Sequence, residues 1–128
     1  MVIGFMATAA GATVSDELLL RIADRLKALA DPMRLRLLHA LEDSELCVGD
    51  LVGHVGGSQA NVSKHLAHLR RAGLVRSRRL GMNVFYAIGD PVVFRVCRLM
   101  CDSLGREAGR QAAELKRAPY PAGGRRRA

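Results

Sequence analysis

Two cysteines, Cys97 and Cys101, stand four residues apart in a stretch of helical periodicity, so their side chains share one face of a helix. Neighbours at that spacing lie about 5 to 6 Å apart at Cβ, whereas an unstrained disulfide wants about 3.5 to 4.5 Å. An ion bonded to each sulfur at about 2.3 Å, the zinc–thiolate distance, spans the gap more easily. The third cysteine, Cys47, opens another helical segment, where the positive end of the helix dipole favours a thiolate. A three-thiolate set of Cys47, Cys97 and Cys101 would take soft ions, As(III) or Sb(III), Cd(II) or Pb(II). The same thiols suit a redox or persulfide switch that links Cys47 to one cysteine of the pair. Each is also readable as a small buried hydrophobe. Of the histidines, His54 is kept as a spare ligand, on the same helical segment as Cys47. No cysteine has a base and an orienting partner at a motif spacing, so an enzyme is not expected.

A second constellation lies in SQANVSKHLAHLRR. Val62, Leu66 and Leu69 form an apolar stripe under a polar face of Gln59, Asn61, Ser63, Lys64, His65 and His68. Gln59, Asn61 and Lys64 have the donors and acceptors to read base edges, while Ser58, Ser63 and the amides at the helix start suit phosphates. His65 belongs to the same DNA-facing set. Arg70 and Arg71 follow at the far end, placed to touch the DNA backbone or support what comes next. Arg78 and Arg79 flank a hairpin tip, where a guanidinium can enter a minor groove or grip phosphates, and Asn83 stands just past that tip. The alternative for these cations is a solvated charge run.

The elements that must position these groups are readable in outline. A first helix starts at Ser15 or Asp16 with Leu18, Leu19, Ile22, Leu26 and Leu29 in phase. Asp31-Pro32 starts a second helix through MRLRLLHALED, with Leu35, Leu38 and Leu41 as its buried stripe. A third, short helix carries Leu46, Val48, Leu51, Val52 and Val55 and ends at Gly56-Gly57; Ser58 caps the fourth, which ends at Gly73. Then the period changes. LVRSRRL and NVFYAI read as a hairpin around Gly81-Met82, and a last helix runs from Pro91 to about Lys116 with Val93, Val96, Met100 and Leu104 on its apolar face. Two helices joined by a glycine turn, followed by a basic hairpin, make a mainly α, winged helix-turn-helix fold. The domain expected is 15–117, preceded by a flexible arm, 1–14, and followed by a disordered basic tail, 118–128.

Composition agrees with a nucleic-acid partner. The 128 residues, 49% of them apolar, suffice for one small core, and the net charge is +8. All 12 acidic residues lie outside 51–89, whereas Lys64, Arg70, Arg71, Arg76, Arg78 and Arg79 lie inside. Three unevenly spaced cysteines do not make a secreted disulfide scaffold, and MVIGFMATAAGATVS lacks the basic start of a secretory signal. A cytoplasmic protein with no membrane partner and no small-molecule substrate is expected.

The segments LADPMRLRLLHAL, ELCVGDL, SQANVSKHLAHLRRAGLV and GMNVFYAI resemble the ArsR/SmtB family of metal-responsive repressors over about residues 18–104. The resemblance implies a homodimer built from the first and last helices, presenting two recognition helices to an inverted repeat in double-stranded DNA. It also implies release from this operator when the metal binds. Cys47 matches the first cysteine of the family's ELCVCDL arsenic motif, and Gly49 stands at the second. At the family's zinc site on the last helix Asp90 is retained, but Val92 and Ser103 replace histidines, which ranks Zn(II) below the softer ions.

Overall fold

Side-chain caps decide where the first helices begin. Ser15 Oγ accepts from the Leu18 N–H at 3.1 Å, and Asp31 Oδ1 accepts from the N–H groups of Met33 and Arg34 at 2.8 and 3.2 Å. The computed structural model describes residues 13–109. Its elements are α1 (Asp16–Leu29), α2 (Pro32–Ala40), β1 (Leu46–Cys47), α3 (Val48–Val55), α4 (Gln59–Arg71), β2 (Val75–Leu80), β3 (Asn83–Ile88) and α5 (Val92–Ala108). This is a winged helix-turn-helix. Most of the expected arm, all of the expected tail and the continuation of the last helix past 109 lie outside the described residues. Val14, which closes the expected arm, is buried.

Three expectations need correction. The second helix stops at Ala40 instead of running to Asp43, because the Leu41 N–H is shared between the Leu37 and Leu38 carbonyls, a tightened last turn. Its buried residues are Leu37 and Leu38, followed by Leu41 at the C-cap, with Leu35 only half-buried. α2 packs against both α3 and α4, so its apolar face is wider than a single stripe. Third, Leu46 is not helical. Leu46 pairs with Tyr86 and Cys47 with Phe85, adding a third strand to an antiparallel sheet of order β1-β3-β2.

The core joins Ala28 of α1, Leu37 and Leu38 of α2, Leu41 at its C-cap, Leu51 of α3, Val62, Leu66 and Leu69 of α4, Leu74, Val75 of β2 and Val93 of α5. Each fully buried leucine is worth about 1.5–3 kcal/mol of transfer free energy. That anchors α4 by one face and leaves the other outward. Only Ala28 of α1 is buried. Leu18, Ile22 and Leu26, one helical turn apart, are exposed, as are Leu99, Met100 and Leu104 of α5.

Candidate nucleic-acid interface

The turn between α3 and α4 is Gly56-Gly57-Ser58. Both glycines have positive φ, +82° and +90°, a backbone that a side chain at Cβ would strain. Ser58 Oγ accepts from the Asn61 N–H at 3.1 Å and starts α4. A helix turns about 100° per residue, so with Val62, Leu66 and Leu69 inward, Lys64 projects away from the core. Gln59 and Ser63 lie on one flank; Asn61, His65 and His68 lie on the other, beside α2. Gln59, Asn61 and Lys64 are exposed, while Ser63, His65 and His68 are half-buried.

Arg34 of α2 explains the position of His65. Its Nε donates to the Ala28 carbonyl at 2.6 Å and its Nη2 to that of Lys27 at 3.0 Å, while Nη1 lies 3.2 Å from His65 Nδ1. A guanidinium only donates, so Nδ1 is the acceptor and the ring proton is assigned to Nε2. His65 thus spends one nitrogen on the protein. Nearby, partial burial, then the positive charges of Arg34 and Arg71, hold His68 below the ordinary imidazole pKa, against an opposing pull from Asp31.

The sheet separates the arginines of the wing. Arg78, Phe85 and Cys47 share one face by register, and the Arg78 guanidinium lies 5.7 Å from the Phe85 ring centroid. It also grips Glu45 with two bonds, Nε to Oε2 at 2.7 Å and Nη2 to Oε1 at 2.8 Å. That hydrogen bonding keeps the Glu45 carboxyl below its ordinary pKa and raises that of Arg78. Arg76 donates to the Ile88 carbonyl at 2.8 Å. Arg79 points to the opposite face and is exposed, as are Asn83 and Arg71. The basic block is therefore not free of carboxylates in space, because Glu45 reaches Arg78 from across the sheet. Sequence reasoning missed this because the two residues lie 33 apart in the chain.

The thiols are less convergent than expected. Cys47 stands at the N-cap of α3, makes no cap bond, and donates through Sγ to Asp50 Oδ2 at 3.4 Å. Leu46 packs on the core, so the alternation of β1 turns Cys47 to the other face of the sheet. Cys97 packs on the core from α5, and Cys101 is half-buried. Among the described residues no three His, Cys, Asp or Glu side chains come together in a way that could hold a metal ion. The Cys47, Cys97 and Cys101 trio is thus not assembled within one chain. His54 Nδ1 lies 2.9 Å from the Asp50 carbonyl. Asp90 is engaged as well: Oδ2 accepts from Arg25 at 2.7 Å and Oδ1 from the Val92 N–H at 3.0 Å.

Known proteins carry the same arrangement. Residues 31–77 match the model of the bacterial regulatory proteins of the arsR family. The transcriptional activator HlyU of Vibrio cholerae is 43% identical over 75 residues, 59% of this chain and 69% of that protein. The chain belongs to the arsR family. The family is one of bacterial regulatory proteins, and the relatives named here are transcription regulators. A transcriptional repressor SmtB homolog of Synechocystis is 44% identical over 84 residues, and the chain spans 66% of itself and 64% of that relative's length. Among solved structures, Mycobacterium tuberculosis Rv0081 aligns with a TM-score of 0.62 at 35% identity, over 72% of this chain and 93% of the other. The homodimeric winged helix-turn-helix DNA-binding domain Mb0332 of Mycobacterium bovis aligns at 0.61 and 34%, over 67% and 82%. No helix among the described residues is long and apolar enough to cross a membrane.

Proposed function

We propose that this arsR-family regulator is a homodimeric repressor that binds an inverted repeat in double-stranded DNA through α4 and the wing, and leaves it when a thiophilic ion binds cysteine thiolates. The observation that carries the DNA half is α4 itself, anchored by Val62, Leu66 and Leu69 with Lys64 and Gln59 outward. The exposed apolar stripes of α1 and α5 support a dimer, which would set two such helices side by side. Within this reading Lys64, Gln59 and Asn61 meet base edges, and Ser58, Ser63, Arg71, Arg79 and Asn83 meet the backbone. His65 and Arg78 act from behind, each bonded within the protein. The relatives include both a repressor homolog and an activator; the SmtB homolog and a probable mercury resistance operon repressor of Streptomyces lividans, 45% identical over 67 residues, support repression.

Cys97 and Cys101 support the effector half. One turn apart and half-buried on α5, they offer two thiolates to As(III), Sb(III), Cd(II) or Pb(II), with Zn(II) ranked below. Residues 110–128 contain no Cys or His, and neither do residues 1–12. Further thiolates then come from a second copy of the chain, as fits a dimer. For release, the ion must bind the DNA-free conformation more tightly, and the coupling is reciprocal.

The test is anaerobic titration of the reduced chain with As(III), Cd(II), Pb(II) and Zn(II), while binding to duplexes selected from a random library is followed by anisotropy. Release by a soft ion that is lost in Cys97→Ser and Cys101→Ser supports the reading. Release by oxidant or sulfide alone, with a changed thiol mass, replaces it by redox sensing. Release unaffected by all three Cys→Ser changes removes the thiols from the switch.

A further inference from the structure

Met82 is the most exposed large hydrophobic side chain of the described residues, at 93%, and Leu80 beside it is 56% exposed. Both sit at the tip of the wing. The strands are joined by two residues, Gly81-Met82, closed by the Leu80–Asn83 pair. Gly81 has φ +64° and Met82 has none of the positive φ, the pattern of a type II′ turn whose twist matches the strands. Met82 is thus held out on a short, well-defined turn, where a polar residue would be the ordinary choice.

Charge selects what this tip meets. Arg79 is exposed one residue before Leu80, and residues 51–89 hold six cations and no acidic residue. Glu45, which enters this face from outside that stretch, is spent on Arg78. An apolar tip in a positive field fits a polyanion that also offers apolar surface. A minor groove does so: its walls are deoxyribose carbons and its rims are phosphates, and apolar side chains wedge between its base steps.

We propose that Met82, with Leu80, is a minor-groove contact that selects DNA by groove width and step flexibility, while Arg79 grips a bordering phosphate. Base-edge readout by α4 leaves the sequence beside each half-site unread; the wing tip would add a preference there for easily unstacked TA and CA steps. This inference rests on the DNA-binding reading above.

The experiment uses the full chain and duplexes selected by it from a random library, with binding followed across a salt series. Met82→Gln should weaken binding by on the order of tenfold, the equivalent of losing one buried Met contact, without changing the salt slope. Arg79→Ala should shallow the slope. Replacing flanking TA steps by GC should erase the difference between Met82→Gln and the wild type, and netropsin, which fills AT minor grooves, should compete with the wild type more than with the variant. Thermal melting of Met82→Gln should match the wild type, since the side chain is exposed. If the wild type binds duplex DNA and Met82→Gln binds identically, the wing-tip inference is wrong and the DNA-binding reading stands. If the wild type binds no duplex, both fall. An unchanged DNA affinity with lost self-association, or with lost binding to anionic vesicles, also overturns it.

Discussion

Arg25 and Asp90 join the first helix to the start of the last: the guanidinium donates through Nη1 to Asp90 Oδ2 at 2.7 Å. Its Nε also donates to the carbonyl of Ala72, the C-cap of α4, at 3.0 Å. One side chain of α1 therefore holds both the end of the recognition helix and the N-terminus of α5. Any shift of α1 relative to α5 is felt by α4 through it.

Coupling of these groups is measurable by melting. Arg25→Ala should lower Tm more than Asp90→Asn, because it also leaves the Ala72 carbonyl without its partner, and the double variant should melt with Arg25→Ala and not at the sum of the two losses. The Val92 N–H, then Arg25, holds the Asp90 carboxyl below its ordinary pKa. A depressed folded value gives stability that is present above the unfolded pKa and lost as pH falls through the folded one. The Tm gap between wild type and Asp90→Asn should thus hold from pH 7 to 5 and close below about pH 3.9. A gap independent of pH would show that the carboxylate charge is not what matters.

The cap of α2 makes a second prediction. Burial alone would raise the Asp31 pKa, but the bonds from the Arg34 and Met33 N–H groups outweigh it and the net shift is downward. Asp31→Ala should cost about 1 kcal/mol in urea denaturation, and Asp31→Asn much less, since Asn caps nearly as well. Equal losses for Ala and Asn would assign the role to charge instead of capping.

These caps are legible in the sequence because Ser15, Asp31 and Ser58 each precede an apolar-periodic run whose first N–H groups need an acceptor. The recognition face is legible for the same reason: a period of 3.6 sorts Val62 from Lys64 without knowledge of the fold. β1 is not, since two residues carry no period and the partner, Tyr86, is chosen by tertiary packing. The roles of Arg78 and His65 are hidden likewise, because Glu45 and Arg34 meet them only in space. For the thiols, spacing gives the shared face of Cys97 and Cys101, but the side of the sheet taken by Cys47 depends on how β1 pairs.

The two wing arginines should separate in a salt series. Arg79→Ala should reduce the magnitude of the log–log slope by about 0.9, the loss of one phosphate contact, and leave Tm unchanged. Arg78→Ala should leave the slope and lower Tm, because Arg78 is committed to Glu45 and Phe85. Glu45→Gln, which loosens that commitment, should steepen the slope. Identical behaviour of Arg78→Ala and Arg79→Ala would mean that DNA takes Arg78 from Glu45 on binding.

The exposed stripes yield the last prediction. Leu26 of α1 and Leu99 of α5 are 53% and 68% exposed, and a chain of this size gains by covering such surface with a second copy. Leu26→Glu with Leu99→Glu should give a monomer in sedimentation equilibrium while helical circular dichroism persists, because neither residue belongs to the core. Operator affinity should fall by on the order of a hundredfold or more, since the second half-site is no longer held at high effective concentration. A wild type that is already monomeric at micromolar concentration would overturn the dimer, and a double variant that remains dimeric would move the dimer contact elsewhere.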